Sequence, residues 1–191
     1  LKLQNDLYRG IKMTGYVILS IVMILGGAFI YVTSKINKLE AATRDRNAEV
    51  DAGIWDRGFR LGKIVAVLDA AGIKHDIDAP DTSSFTLGTP APMQAVTSEK
   101  LDQADQALRE VIKVHPELND NSEFCENLTK FDMSRNDIFK ASIAYNKSVS
   151  AYNGYISGFP GSVIAGLRKK SDKQIFTYIF TDINKDEFST F

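Results

Sequence analysis

The chain has 191 residues and a mass of 21.2 kDa, enough for one compact domain plus an appendage and too short for two ordinary enzyme domains. Lys and Arg number 23 against 24 Asp and Glu, a net charge of -1 that lacks the basic excess of a dedicated nucleic-acid binder. A single cysteine, Cys125, excludes an internal disulfide framework or a multi-thiolate zinc site, and two histidines, His75 and His115, leave little for metal or acid–base work.

After a short N-terminal segment, residues 1–14, the stretch from Gly15 to Val32 holds 18 residues without a charge, ten of them Val, Ile, Leu or Phe. As a helix it spans roughly 27 Å, close to the hydrocarbon core of a bilayer at about 30 Å. Tyr16 and Tyr31 stand where interfacial aromatics belong, and Lys12 and Lys35 bracket the run. Gly26 and Gly27 match both close approach by another helix and the ordinary tolerance of membrane helices for glycine. The stretch reads as a permanent single-pass anchor rather than a signal peptide, because the helical pattern continues past Val32 with no clear cleavage site. Three basic residues before the span and four in residues 33–50 give no orientation by charge.

Beyond the span, Ile36, Leu39, Val50, Ile54, Leu61, Val65 and Leu68 recur at helical spacing. No proline intervenes before Ala79, which predicts one helix from the membrane to about Ala71, stopped by Gly72. Residues 73–97, with Pro80, Pro90 and Pro92, read as a long loop. A second helix is expected from Thr97 or Ser98 to His115, carrying Leu101, Ala104, Leu108 and Val111. The third carries the strongest pattern: Phe124, Leu128, Phe131, Arg135, Ile138, Ser142, Tyr145, Val149, Tyr152, Ile156 and Phe159 alternate steps of four and three. A period of 3.5 held for five heptads marks a helix packed lengthwise in a bundle or coiled coil. Pro160 ends it, with a short helix over 161–169. The expected fold is all-α: an anchor continuing into an antiparallel bundle of three long helices and one short, residues 33–170. The aromatic tail, residues 171–191, reads equally as an added strand, a docking segment or a membrane-surface contact.

The run Ala144-Tyr-Asn-Lys-Ser-Val-Ser-Ala-Tyr-Asn-Gly-Tyr-Ile-Ser-Gly-Phe-Pro160 resembles the signature of the LemA family: two Tyr-Asn pairs seven residues apart, then Ile and Phe-Pro. His115-Pro-Glu-Leu118 and, nearer the anchor, Asn47, Val50 and Trp55 are similar to further stretches of that family, so that the resemblance covers most of residues 14–165. The chain departs from the family where Leu61-Gly-Lys-Ile-Val-Ala66 lacks the usual proline and where Ser142 replaces the usual basic residue, as a divergent member would. The resemblance implies a single-pass membrane protein with a four-helix bundle, a short external N-terminus and a cytoplasmic body at the inner membrane. It implies no enzymatic activity.

Tyr145 and Tyr152 fall on the seam of the third helix, where rings pack and hydroxyls reach an edge. Asn146 and Asn153 lie about 100° further round and are placed to bridge to a neighbouring helix or loop. With Trp55, Phe159 and Pro160 they are the expected register-fixing or partner-contacting residues. The mixed charges Asp45, Asp51, Asp56, Arg44, Arg46, Arg57 and Arg60 read as a solvated helix face, and Glu99, Asp102 and Asp105 as acids facing a helix N-terminus. No catalytic, cofactor or metal set is expected. The functional expectation is a non-enzymatic scaffold, adaptor or accessory subunit. Its expected partners are membrane proteins, the bilayer and a second copy of the chain, and not nucleic acid. Alternatives are a lipid-organising protein working through the tail, or a hydrolase pairing carboxylates with His75 or His115.

Overall fold

The computed structural model describes residues 2–83, 85 and 88–178, with the side chains of 2–8 and 11 outside the description. It is all-helical. Helix α1 runs Lys2–Ala70, α2 Ala91–Val114, α3 Ser122–Ser157 and α4 Gly161–Leu167, and a 3-10 turn, Pro116–Asp120, joins α2 to α3. Two compact units divide the chain: residues 1–40 with 152–172, and residues 41–151 with 173–191.

The first unit contains the apolar stretch. Ile18, Leu19, Val22, Ile24 and Leu25 are all at least half exposed. The stretch is long and apolar enough to cross a membrane, a test that a signal sequence near an N-terminus also passes. Ser20 within it donates to the Tyr16 carbonyl at 2.8 Å, and Thr14 just before it to the Gly10 carbonyl at 3.0 Å. Tyr16 and Tyr31 are exposed, and Gly15, Gly26 and Gly27 face open space. Val32, read as the last spanning residue, is instead buried. It joins Ile36, Tyr152, Ile156, Ile164 and Ala165 in a small core, so the exposed run stops at Tyr31. Lys170 pairs with Glu40 at 2.5 Å at the end of this unit.

In the second unit the apolar stripe of α1 is Val50, Ile54, Leu61, Ile64 and Leu68, with Arg57 between. Ile64, not Val65, holds the fully buried place, since it keeps the alternation of threes and fours that stays on one face. The α3 seam of this unit is buried from Phe124 to Val149, with Leu128 and Arg135 half-buried, and its Tyr152 and Ile156 belong to the first unit. Phe159 departs from the expected seam and is 88% exposed. The helix has ended at Ser157, so its spacing no longer places residues on the packed face.

Pairing fixes the directions. Asn47 meets Gln94 and Arg57 meets Asp102, so α1 and α2 run the same way. Arg60 meets Asn127 while a Cβ on Gly53 would meet Ile138, so α3 runs antiparallel to α1. Parallel neighbours need a connection as long as the helix it retraces. The loop after α1 supplies it: His75 contacts Asp69, Thr82 sits over Gly58, and Gly88 and Thr89 reach Asp51. Ile77 and Phe85 of this returning segment are buried in the main core. Gly72, with φ +70°, turns the chain out of α1, and the Ile73 N–H closes the turn on the Leu68 carbonyl at 3.0 Å.

The expected loop over residues 73–97 is shorter than predicted, because α2 begins at Ala91. Pro90 caps it and Pro92 lies in the first turn, where a missing N–H costs nothing. Thr97 and Ser98, read as caps, are buried within α2.

Glycines within α1 separate by what they face. A Cβ at Gly58 would overlap the Thr82 side chain, whereas one at Gly62 meets nothing within 4 Å. Gly58→Ala should therefore destabilise the protein by about 1–3 kcal/mol, and Gly62→Ala should stabilise it by up to about 1 kcal/mol. Chemical denaturation of the two variants in the same detergent checks the opposite signs.

Candidate functional site

Among the described residues no group of three or more His, Cys, Asp and Glu side chains is arranged to hold a metal ion. The polar side chains gather instead in the interior of the second unit. Asp102 lies twelve residues into α2, well past the helix end that it was expected to face, and is 9% exposed. Its Oδ1 accepts from Arg57 Nη1 of α1 at 2.5 Å and from Arg135 Nε of α3 at 3.2 Å. Its Oδ2 accepts from Arg135 Nη2 at 3.2 Å and from the Tyr178 hydroxyl at 2.6 Å. Arg57, expected on a solvated face, is fully buried, with its guanidinium 4.7 Å from the Phe131 ring centre. A carboxylate with both oxygens so occupied has little capacity left to act as a base towards a substrate. It joins elements.

Burial alone would raise the Asp102 pKa. The Arg57 charge and the bonds from Tyr178, Arg135 and Arg57 outweigh it and hold the carboxyl below its ordinary range. Burial and the neighbouring Asp102 carboxylate push the Tyr178 hydroxyl well above its ordinary value. A short ion-pair chain continues outward, with Arg109 bonded to Asp105 at 2.9 Å and to Asp132.

Asp51 is the second buried carboxylate and is likewise not solvated. Its Oδ2 accepts the N–H groups of Gly88 and Thr89, and its Oδ1 accepts Gln94 Nε2 at 2.7 Å. This places a negative charge at the N-terminal turn of α2, a favourable dipole position in a helix whose own cap makes no side-chain bond.

The tail enters here. Residues 173–178 form an extended strap along the second unit. Tyr145 donates to the Gln174 carbonyl at 2.8 Å. Asn146 clamps the Phe176 backbone from both sides, its Nδ2 donating to the carbonyl and its Oδ1 accepting the N–H, each at 2.8 Å. The Phe176 ring is buried in the main core, and Tyr178 turns inward to Asp102. Tyr145 and Asn146 thus act on one segment. The second pair, Tyr152 and Asn153, belongs to the first unit, where Tyr152 is buried. Residues 179–191, the rest of the aromatic tail, lie outside the described residues.

A model of the LemA family matches residues 85–187, more than half of the chain. The chain belongs to the LemA family. The match takes in α2, the Tyr-Asn helix and the strap, and it leaves the similarities at Asn47, Val50 and Trp55 outside its range. Neither the curated proteins nor the solved structures include a match to this LemA-family chain.

Of the other expected site residues, Trp55 is 45% exposed and not part of the core. It stacks on Phe59, ring centres 5.4 Å apart and nearly parallel, with Lys63 and Arg60 over the Phe59 ring. Ala52, Trp55, Phe59, Gly62 and Ala66 are all exposed at steps of three and four, a second apolar stripe on the outer face of α1. Pro160 caps α4. His75 and His115 each engage a local carboxylate, Asp69 and Glu117.

Removing Asp102 strands a buried Arg57. Asp102→Ala should cost about 3–5 kcal/mol in denaturant unfolding. The wild-type carboxyl titrates lower when folded than its ordinary 3.8. Its contribution is therefore complete above that value and is lost as pH falls through the lower folded pKa. Acid titration monitored by helical circular dichroism should show this loss below pH about 4 in the wild type, with the loss reduced in Asp102→Ala.

Proposed function

We propose that this LemA-family protein is a membrane-anchored interaction protein, its helical body a scaffold, adaptor or accessory surface within a membrane-associated assembly. The observation that carries the reading is the outer stripe of α1, where stacked Trp55 and Phe59 stand exposed on the helix that also bears the apolar span. A contiguous exposed apolar patch rimmed by charge is the signature of a contact surface, and tryptophan is among the residues that dominate contact energies. The saturated Asp102 carboxylate favours the same reading over a hydrolase, since its lone pairs already serve the fold.

In this proposal the span of residues 15–32 holds the chain in the cell membrane with the body on the cytoplasmic side. The partners are other membrane or membrane-associated proteins, and nucleic acid is not among them. The inward turn of Phe176 and Tyr178 removes those two rings from the lipid-surface alternative.

Isolation in mild detergent should recover a stoichiometric partner or a homo-oligomer with the wild-type chain. The double variant Trp55→Ser and Phe59→Ser should lose it while its unfolding free energy shifts by no more than about 0.5–1 kcal/mol, as for exposed sites. A wild-type chain that stays monomeric and unaccompanied across several detergents overturns the proposal.

A further inference from the structure

The strap is held both by its backbone and by two of its side chains. Two kinds of contact hold it. Three bonds go to backbone atoms: Tyr145 to the Gln174 carbonyl, and Asn146 to the carbonyl and the N–H of Phe176. Two side chains, Phe176 and Tyr178, enter the body, one as a buried ring and one as a hydroxyl donated to Asp102. Gln174, Ile175 and Thr177 are exposed. Alternation of outward and inward side chains, here over residues 175–178, with a side-chain amide and a hydroxyl gripping the backbone, is how a groove reads a short extended peptide. Any extended segment with an aromatic ring and a tyrosine two residues later meets the same donors, the same pocket and the same carboxylate.

We infer that the Tyr145–Asn146–Asp102 groove is a peptide-recognition site, occupied in this chain by its own strap, and that its ligand in trans is an extended aromatic-x-Tyr segment of a partner protein. This deepens the reading of the body as a partner surface and rests on it. A tethered segment competes at an effective concentration in the millimolar range, so the strap acts as a built-in competitor. A partner peptide gains access only by outbinding the strap or when the strap is drawn away. The hydroxyl of Tyr178 gives the site its selectivity, since Asp102 faces Arg57 and Arg135 and takes one further neutral donor.

The test uses the full chain in detergent and a fluorescent six-residue peptide with the sequence of residues 173–178. In the chain carrying Phe176→Ala and Tyr178→Phe the strap is weakened, and this variant should bind the peptide at least about tenfold more tightly than the wild type does. Adding Asn146→Ala should weaken binding about tenfold or more through the two lost backbone bonds, and a peptide with alanine in place of its phenylalanine should not bind. A helical, cooperatively melting strap variant that ignores the peptide, or binds it regardless of Asn146, overturns the inference. A wild-type dimer dissolved by the free peptide would mean that straps exchange between copies, and would overturn the assignment to a foreign segment.

Should the strap variant fail to fold, hydrogen exchange on the wild type decides. The Phe176 amide should exchange at least about a hundredfold faster than the amides of the α3 core, as a locally opening segment does. Equal protection makes the strap an inseparable part of the fold and overturns the inference. None of these readouts involves a cellular partner, so a failed isolation experiment with intact peptide binding would strike the broader reading alone.

Discussion

A buried carboxylate is tolerated only when its lost hydration is replaced, and around Asp102 that requirement organises the second unit. The replacement comes from one donor group on α1, one on α3 and one on the strap. Each element must keep its axial position for its donor to arrive, so the network sets register as well as compensating charge. Apolar contacts among Leu61, Leu101, Leu108, Phe124 and Phe131 supply the larger driving force, yet they are forgiving of small slides. The ion network is not. Its presence in the middle of the core is consistent with polar groups used for uniqueness of packing rather than for strength.

The parallel course of α1 and α2 has the same kind of consequence. Antiparallel helices are joined by short turns, but parallel ones require the chain to travel back. Here the returning segment itself becomes part of the core through Ile77 and Phe85, and its far end is pinned by Asp51. Gly58 is the residue that lets it pass, because Thr82 occupies the space a side chain would need. The described residues of this long connection pack on the body through Ile77, Thr82 and Phe85. Trp55 and Phe59, by contrast, stay exposed on the outer stripe of α1.

The two Tyr-Asn pairs show how one motif serves two places. Tyr145 and Asn146 grip the strap in the second unit, while Tyr152 belongs to the small core of the first. Asn146 sits about 100° round from the seam, and that offset aims its amide at a segment lying beside the helix rather than beneath it. The strap, residues 173–178, thereby turns its rings inward at 176 and 178 and its polar side chains outward at 174 and 177.

Much was determined by the sequence itself. The 3.5-residue alternation from Phe124 to Ile156, the charge-free run from Gly15 and the Gly72 stop each follow from short-range periodicity or backbone freedom, which neighbouring residues along the chain reveal. The long apolar run and the helices were legible for that reason. Proline misled near residue 90, because only its place within the first turn decides whether it breaks a helix or starts one. Asp51 and Arg57 read as part of a solvated helix face and Asp102 as an acid at a helix N-terminus, since an ion pair between residues 45 positions apart leaves no trace in local spacing. Which charges go inside, that α2 runs parallel to α1, and that residues 174–178 close on α3 are settled only by the tertiary structure. A buried charge is stable only beside partners brought from elsewhere in the chain.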